Sequence, residues 1–170
     1  MKEDIKVVKI NPENYDIYLR AFKDDKKMEV WLKNTTDTKY TLFKTYDICA
    51  SSGGLGPKRQ EGDGQVPEGF YTIDLFNPTS SYYLSMRVSY PNSSDRLLKT
   101  GKNTGGDIMV HGNCVTIGCL PMTDDKIKEL YVLCLEAKSR DRTVKIDIFP
   151  TTMTTENMKV LENNFSKEKM

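Results

Sequence analysis

A single histidine and a single tryptophan occur in the 170 residues, and the charges nearly cancel, 25 Lys and Arg against 24 Asp and Glu. The acidic and basic residues are interspersed, so the concentrated basic face that phosphate binding needs is missing and no nucleic acid is expected as partner. No apolar stretch approaches the roughly 20 residues of a membrane-spanning helix, and no such segment is expected. Met1-Lys2-Glu3-Asp4 runs directly into Ile5–Ile10 without the apolar core of a signal peptide, so an exported protein would carry its signal or anchor outside this sequence. Four cysteines, at 49, 114, 119 and 134, are too sparse for a disulfide scaffold, and their number leaves the redox compartment open. The glycines between Gly53 and Gly69 match neither a phosphate-binding loop nor a dinucleotide fingerprint.

What is present reads mainly as β-strand. Tyr15–Phe22 and Met28–Lys33 are short and β-prone, and Lys23–Lys27 makes a polar turn that, like the Lys167–Lys169 run, reads as solvated surface. Val30 and Leu32 fall on one side of the second strand. Tyr40–Cys49, Phe70–Phe76, Tyr82–Tyr90 and Asp107–Val110 add further strands, and the glycine-rich segment from Ser51 to Gly69 is long enough to suggest a functional loop. Sheet packing accounts for Tyr82, Tyr83 and Tyr90 without a ligand. The spacing of Ile127, Leu130, Tyr131, Cys134 and Ala137 predicts a helix over 124–138 with one buried stripe, capped by Thr123 and with Asp124 and Asp125 at its positive end. Val144–Phe149 alternates and stops at Pro150, and a last helix fits Thr155 to about Asn164. The length suits one mostly β domain with one or two covering helices.

The chemistry concentrates in His111-Gly112-Asn113-Cys114-Val115-Thr116-Ile117-Gly118-Cys119-Leu120-Pro121-Met122. A cysteine nucleophile needs a base for its proton, and the lone imidazole stands eight residues before Cys119. An isolated cysteine or histidine is more often plain structure; the pairing, with glycine turns beside both, favours catalysis. In this reading Cys119 attacks and His111 is the base. The Gly112 carbonyl fixes the imidazole tautomer, and the amides of Ile117, Gly118 and Cys119 are candidate oxyanion donors. Cys114 is the competing thiol; it supports the site, stays buried or pairs with another cysteine. Cys134 belongs to the helical stripe and to the core. His111, Cys114 and Cys119 are also zinc-ligand types, but no second knuckle accompanies them, so neither a metal nor another cofactor is expected. Lys58, Arg59 and Arg96 are candidates for holding a substrate carboxylate, with plain surface charge the stronger reading for Arg59 and Arg96.

These residues resemble the catalytic motif of the L,D-transpeptidase (YkuD-type) family, in the branch of periplasmic murein-acting enzymes found in gram-negative bacteria. Gly56-Pro57-Lys58-Arg59, Glu61-Gly62-Asp63 and Pro67–Tyr71 carry the likeness together with Asp107–Gly112 and Thr116–Met122, as do Asn77-Pro78, Ser89–Asn92 and Asp95-Arg96; they span about residues 46 to 125. The resemblance implies an L,D-transpeptidase-like mixed β-sandwich in the cell envelope, and a cysteine that attacks a peptidoglycan stem peptide between the L-centre of a diamino acid and a D-amino acid. The thioester then passes to an amine or to water. It implies one catalytic domain over 1–170, with N-terminal strands at 1–45, the motif-bearing core at 46–125, and a helix, a strand and a C-terminal helix over 126–170. Substrate binding falls to Lys58 and Thr116. Two positions depart from the commoner motif: Ile117 stands where a second histidine precedes Gly-Cys, and Pro121 where an arginine follows the cysteine. Lys58 is the candidate replacement for that lost arginine. The rival expectations are an endopeptidase or amidase that hydrolyses stem peptides or frees murein-attached protein, and a non-catalytic peptidoglycan-binding module.

Overall fold

The computed structural model describes residues 1–165; the Lys167–Lys169 run lies outside the described residues. Among the described residues eight strands form one sheet in the order β3-β2-β1-β8-β4-β5-β6-β7. β1 (Tyr15–Phe22) and β2 (Lys27–Asn34) form the expected hairpin, and β3 (Thr41–Asp47) extends it antiparallel. β8 (Lys145–Phe149) returns parallel to β1, so the sheet is mixed. Alternation sets which face is buried: Ile17, Leu19 and Ala21 of β1 and Met28, Val30 and Leu32 of β2 are fully enclosed, as a period of two requires.

β4 (Gly69–Ser80) joins the two halves of the sheet. Its first residues, Gly69–Thr72, pair with β8, and from Ile73 onward it pairs with β5 (Tyr83–Val88), with register breaks after Ile73 and Asn77. Such breaks bend and twist a strand, and the strand runs straight through Asn77–Ser80, which the sequence suggested as a separator. β5 carries β6 (Met109–His111), and β6 pairs parallel with the two-residue β7 (Leu120–Pro121).

Among the described residues four helices accompany the sheet. α3 (Asp124–Lys138) has the expected bounds, and Ile127, Leu130, Tyr131, Leu133, Cys134 and Ala137 are its buried face. It packs against β5 and β1, and Tyr15 closes the contact by donating its hydroxyl to the Leu133 carbonyl at 2.9 Å. Each fully enclosed leucine or isoleucine there contributes about 1.5–3 kcal/mol. α4 (Thr155–Phe165) closes the chain with no buried residue. Two short helices were not anticipated: α1 (Lys2–Val7), anchored by Ile5, and α2 (Ser93–Leu97). α2 is fixed by a capping box between Asn92 and Asp95, a signal present in the sequence as Asn-x-x-Asp but with the carboxylate on a side chain one methylene shorter than in the usual Ser/Thr-x-x-Glu form.

Two local expectations are corrected. Thr123 stands at the N-cap of α3 but its side chain makes no capping bond. Lys23 is not solvated: it is 4% exposed. Its ammonium donates to the Gly56 and Val66 carbonyls, each at 2.8 Å, and to Glu68 at 3.1 Å. A buried ammonium needs such partners, and here it staples both ends of the 51–69 loop to the β1–β2 turn.

Candidate active site

β6 and β7 build the site. Their register sets Val110 beside Leu120 and His111 beside Pro121, and Val110 and Leu120 point into the core at 0% and 1% exposure. The pleat therefore turns Met109, His111 and Cys119 to the opposite side of the ribbon, with Cys119 alongside Met109 and His111 one repeat further, about 6.6 Å along the strand direction. The Met109 amide donates to Cys119 Sγ at 3.4 Å, which confirms the alignment. On its other side the thiol faces the Asp107 carbonyl at 3.7 Å.

His111 is 3% exposed. Its Nδ1 lies 2.6 Å from the Gly112 carbonyl. A carbonyl only accepts, so Nδ1 carries the proton and Nε2 keeps its lone pair. Burial holds the imidazole below its ordinary 6.5, opposed by the Gly112 bond. Burial also pushes the Cys119 thiol up; the Met109 amide and the Lys58 charge oppose it and the Asp107 charge adds to it. The resting pair is therefore neutral thiol with neutral imidazole.

Gly112 is required by space. A Cβ there would stand 2.7 Å from Asp124 Oδ1 and 2.9 Å from the Tyr82 carbonyl. Its amide faces the Tyr82 and Leu84 carbonyls at 3.1 and 3.2 Å, and Asp124 accepts from the Asn113 amide at 2.9 Å. Asp124 thus ties the site loop to the start of α3. Gly118 has φ +101°, and a Cβ would meet the Gln65 carbonyl at 3.1 Å.

Hydrogen bonds within the chain already occupy several of the surrounding groups. The Gly118 amide is occupied by Ser52 Oγ at 2.7 Å, and the Cys119 amide by Thr116 Oγ1 at 2.8 Å. Of the three candidate oxyanion donors, only the Ile117 amide is without a partner among the described residues. Thr116 also donates its hydroxyl back to the Cys119 carbonyl at 2.8 Å, so it shapes the turn and has no proton left for a substrate. Lys58 is 6% exposed and donates to the Gln60 carbonyl at 2.8 Å and Asp63 Oδ1 at 2.6 Å. Burial would raise the Asp63 carboxyl; Lys58 and the amides of Gln60, Arg59 and Gln65 outweigh it and hold it down to about 2. This ion pair braces the glycine-rich loop and takes up two of the three ammonium protons of Lys58.

Cys114 pairs with Cys49 at the end of β3, their Cα atoms 5.5 Å apart across 65 residues of sequence. Its sulfur is thereby lost to the zinc-type ligand set and to nucleophilic attack. Cys119 and Cys134 are the free cysteines, and Cys134 is fully enclosed in the core. Tyr82, assigned from the sequence to sheet packing, leaves the strand and covers the imidazole, ring centroids 4.8 Å apart. No local signal marks that role, because it arises where the end of β5 meets β6.

The sequence model of the YkuD family, described as the L,D-transpeptidase catalytic domain, matches residues 13–148. An Escherichia coli K12 protein described as "Putative L,D-transpeptidase YafK" is 36% identical over 146 residues, which is 84% of this chain and 57% of that protein. The chain thus spans a little over half the length of the curated relatives it matches. Among solved structures, the helical cell shape determining protein Pgp2 of Campylobacter jejuni aligns with a TM-score of 0.64 at 23% identity, over 82% of this chain and 49% of that one. Bd1075 of Bdellovibrio bacteriovorus aligns with a TM-score of 0.55 at 18% identity over 89% and 54%. Both likenesses are of fold.

Proposed function

The chain belongs to the YkuD L,D-transpeptidase catalytic-domain family, and from that premise we propose that it is a cysteine acyltransferase of the cell envelope acting on peptidoglycan stem peptides. The supporting observation is the 2.6 Å bond from His111 Nδ1 to the Gly112 carbonyl, which leaves Nε2 as the lone-pair base on the face of the ribbon that carries the Cys119 thiol. Nε2 takes the thiol proton as Sγ bonds to the peptide carbonyl carbon. The oxyanion is met by the Ile117 amide, joined by the Gly118 amide once Ser52 Oγ rotates away. The imidazolium gives its proton to the departing amine, the C–N bond breaks, and a thioester remains. An acceptor amine then bonds to the thioester carbon and loses its proton to Nε2, the C–S bond breaks, and the departing sulfur takes the proton back. Water in place of the amine gives hydrolysis through the same steps. The Cys49–Cys114 bond supports an oxidising, periplasmic address, and residues 1–170 serve as one catalytic domain.

The test is intact-mass analysis of the protein incubated with tetrapeptide muropeptides and with a thiol-reactive carbapenem. A covalent adduct on the parent, lost in Cys119→Ser and retained at least in part in Cys114→Ser, is expected. An adduct that survives Cys119→Ser, or peptidoglycan retention with no adduct at all, overturns the reading in favour of another nucleophile or a binding module. Cross-linked or exchanged products mark transfer, and shortened peptides or freed protein mark hydrolysis.

A further inference from the structure

Lys58 is buried against Asp63, whereas other cations line an open cleft. A cleft of about 600 Å³ is lined by Glu61, Arg96, Lys99, Asn103, Gly105 and Gly106. One lining residue connects it to the nucleophile through the chain: Gly106 precedes Asp107, whose carbonyl faces Cys119 Sγ at 3.7 Å. Gly106 would accept a Cβ without touching anything within 4 Å, so bare backbone lies open there to a peptide.

The walls are built, not incidental. Asp95 is 2% exposed and accepts from the Tyr71 hydroxyl and the Asn92 amide, each at 2.9 Å. This locks α2 and leaves the next residue, Arg96, facing outward with no ion-pair partner among the described residues. The Lys99 ammonium donates to the Lys102 carbonyl at 2.9 Å and has no carboxylate partner among the described residues. Across the cleft the Glu61 amide donates to the Asn103 carbonyl at 2.9 Å, which fixes the acidic wall.

Two guanidinium or ammonium groups and one carboxylate around one cleft match a zwitterion. A phosphate would meet Glu61 unfavourably, and a peptide's terminal carboxylate would leave Glu61 without a cation. Resting on the function proposed above, we infer that this cleft is the subsite for the side-chain end of the stem peptide's diamino acid, with its carboxylate on Arg96 and Lys99 and its ammonium on Glu61. Arg96 and Lys99 then take the task of the arginine that Pro121 has replaced.

The test uses binding without chemistry. Full-length Cys119→Ala protein is titrated calorimetrically with three soluble stem peptides: one whose diamino acid side chain ends in free carboxylate and ammonium, one amidated at that side-chain carboxylate, and one amidated at the C-terminus. The side-chain amide is expected to bind about tenfold more weakly at low salt, with the gap narrowing as salt rises. Arg96→Gln and Lys99→Gln should each shrink the gap and together erase it, in variants whose melting matches the parent because both side chains are exposed. Equal affinities, no binding of any peptide, a gap that survives the double variant, or sensitivity to the C-terminal amide instead would each overturn the assignment. Failure of the proposed function would show elsewhere, as a missing adduct on the parent protein.

Discussion

At the scale of single residues the site depends on two neutral groups held in hydrogen-bonding order. Because burial keeps His111 below 6.5, the acid limb of kcat/KM should fall at a midpoint below that of free imidazole. Below it the imidazole is protonated and cannot take the thiol proton; above it the base is competent. His111→Ala should cost about a hundred- to ten-thousandfold in rate with the fold intact. Tyr82→Ala uncovers the ring and should move the acid limb up toward 6.5, whereas a purely structural role for Tyr82 would leave the pH profile in place; both are read from pH–rate measurements. Gly112→Ala forces a contact at 2.9 Å with the Tyr82 carbonyl, a backbone atom that cannot swing aside. It should lose about 1–3 kcal/mol of stability in denaturant titration and most of the activity, because the base is oriented by that same peptide.

At the scale of elements, the loop between base and nucleophile is held from three directions. Cys114 is bonded to Cys49, Asp124 at the start of α3 accepts from Asn113, and Ser52 accepts from Gly118. The disulfide joins this loop to the end of β3, so a long stretch of chain is closed by one bond. The double variant Cys49→Ser with Cys114→Ser should lose roughly 2–4 kcal/mol, visible as a lower melting temperature, and reductant should bring the parent down to the variant's value. An unchanged melting temperature in the variant would mean that the loop is fixed without the bond. Arg96 and Lys99 belong to this scale too, since α2, which carries Arg96, is held by the reciprocal cap of Asn92 and Asp95.

At the scale of the whole molecule, the two halves of the sheet share one core. Ile17, Leu19 and Val30 of the first half are enclosed in the same cluster as Met86, Val110 and Leu120 of the second, and α3 touches both. Unfolding should accordingly be a single cooperative transition. Trp31 on β2 reports one half by fluorescence, and thiol reactivity of Cys119 reports the other; their denaturant midpoints should coincide. Separate midpoints would divide the chain into two independently folding parts.

The sequence by itself determined that strands occur at β1 to β5 and at β8, the bounds of α3, and the family motif around His111, Gly112 and Cys119. These follow from periodicity, turn residues and short-range spacing, all of which are local. It left undecided which thiol pairs with which, because Cys49 and Cys114 are distant in sequence. It also misassigned Lys23, whose partners Gly56, Val66 and Glu68 lie in a loop that only folding brings to it. A charged side chain looks the same in sequence whether it meets water or a buried carboxylate. Tertiary structure alone decided that Cys114 pairs with Cys49, that Tyr82 covers the imidazole, and that Arg96 and Lys99 line one open cleft with Glu61, since each depends on which strand ends and loops meet when the sheet bends at β4.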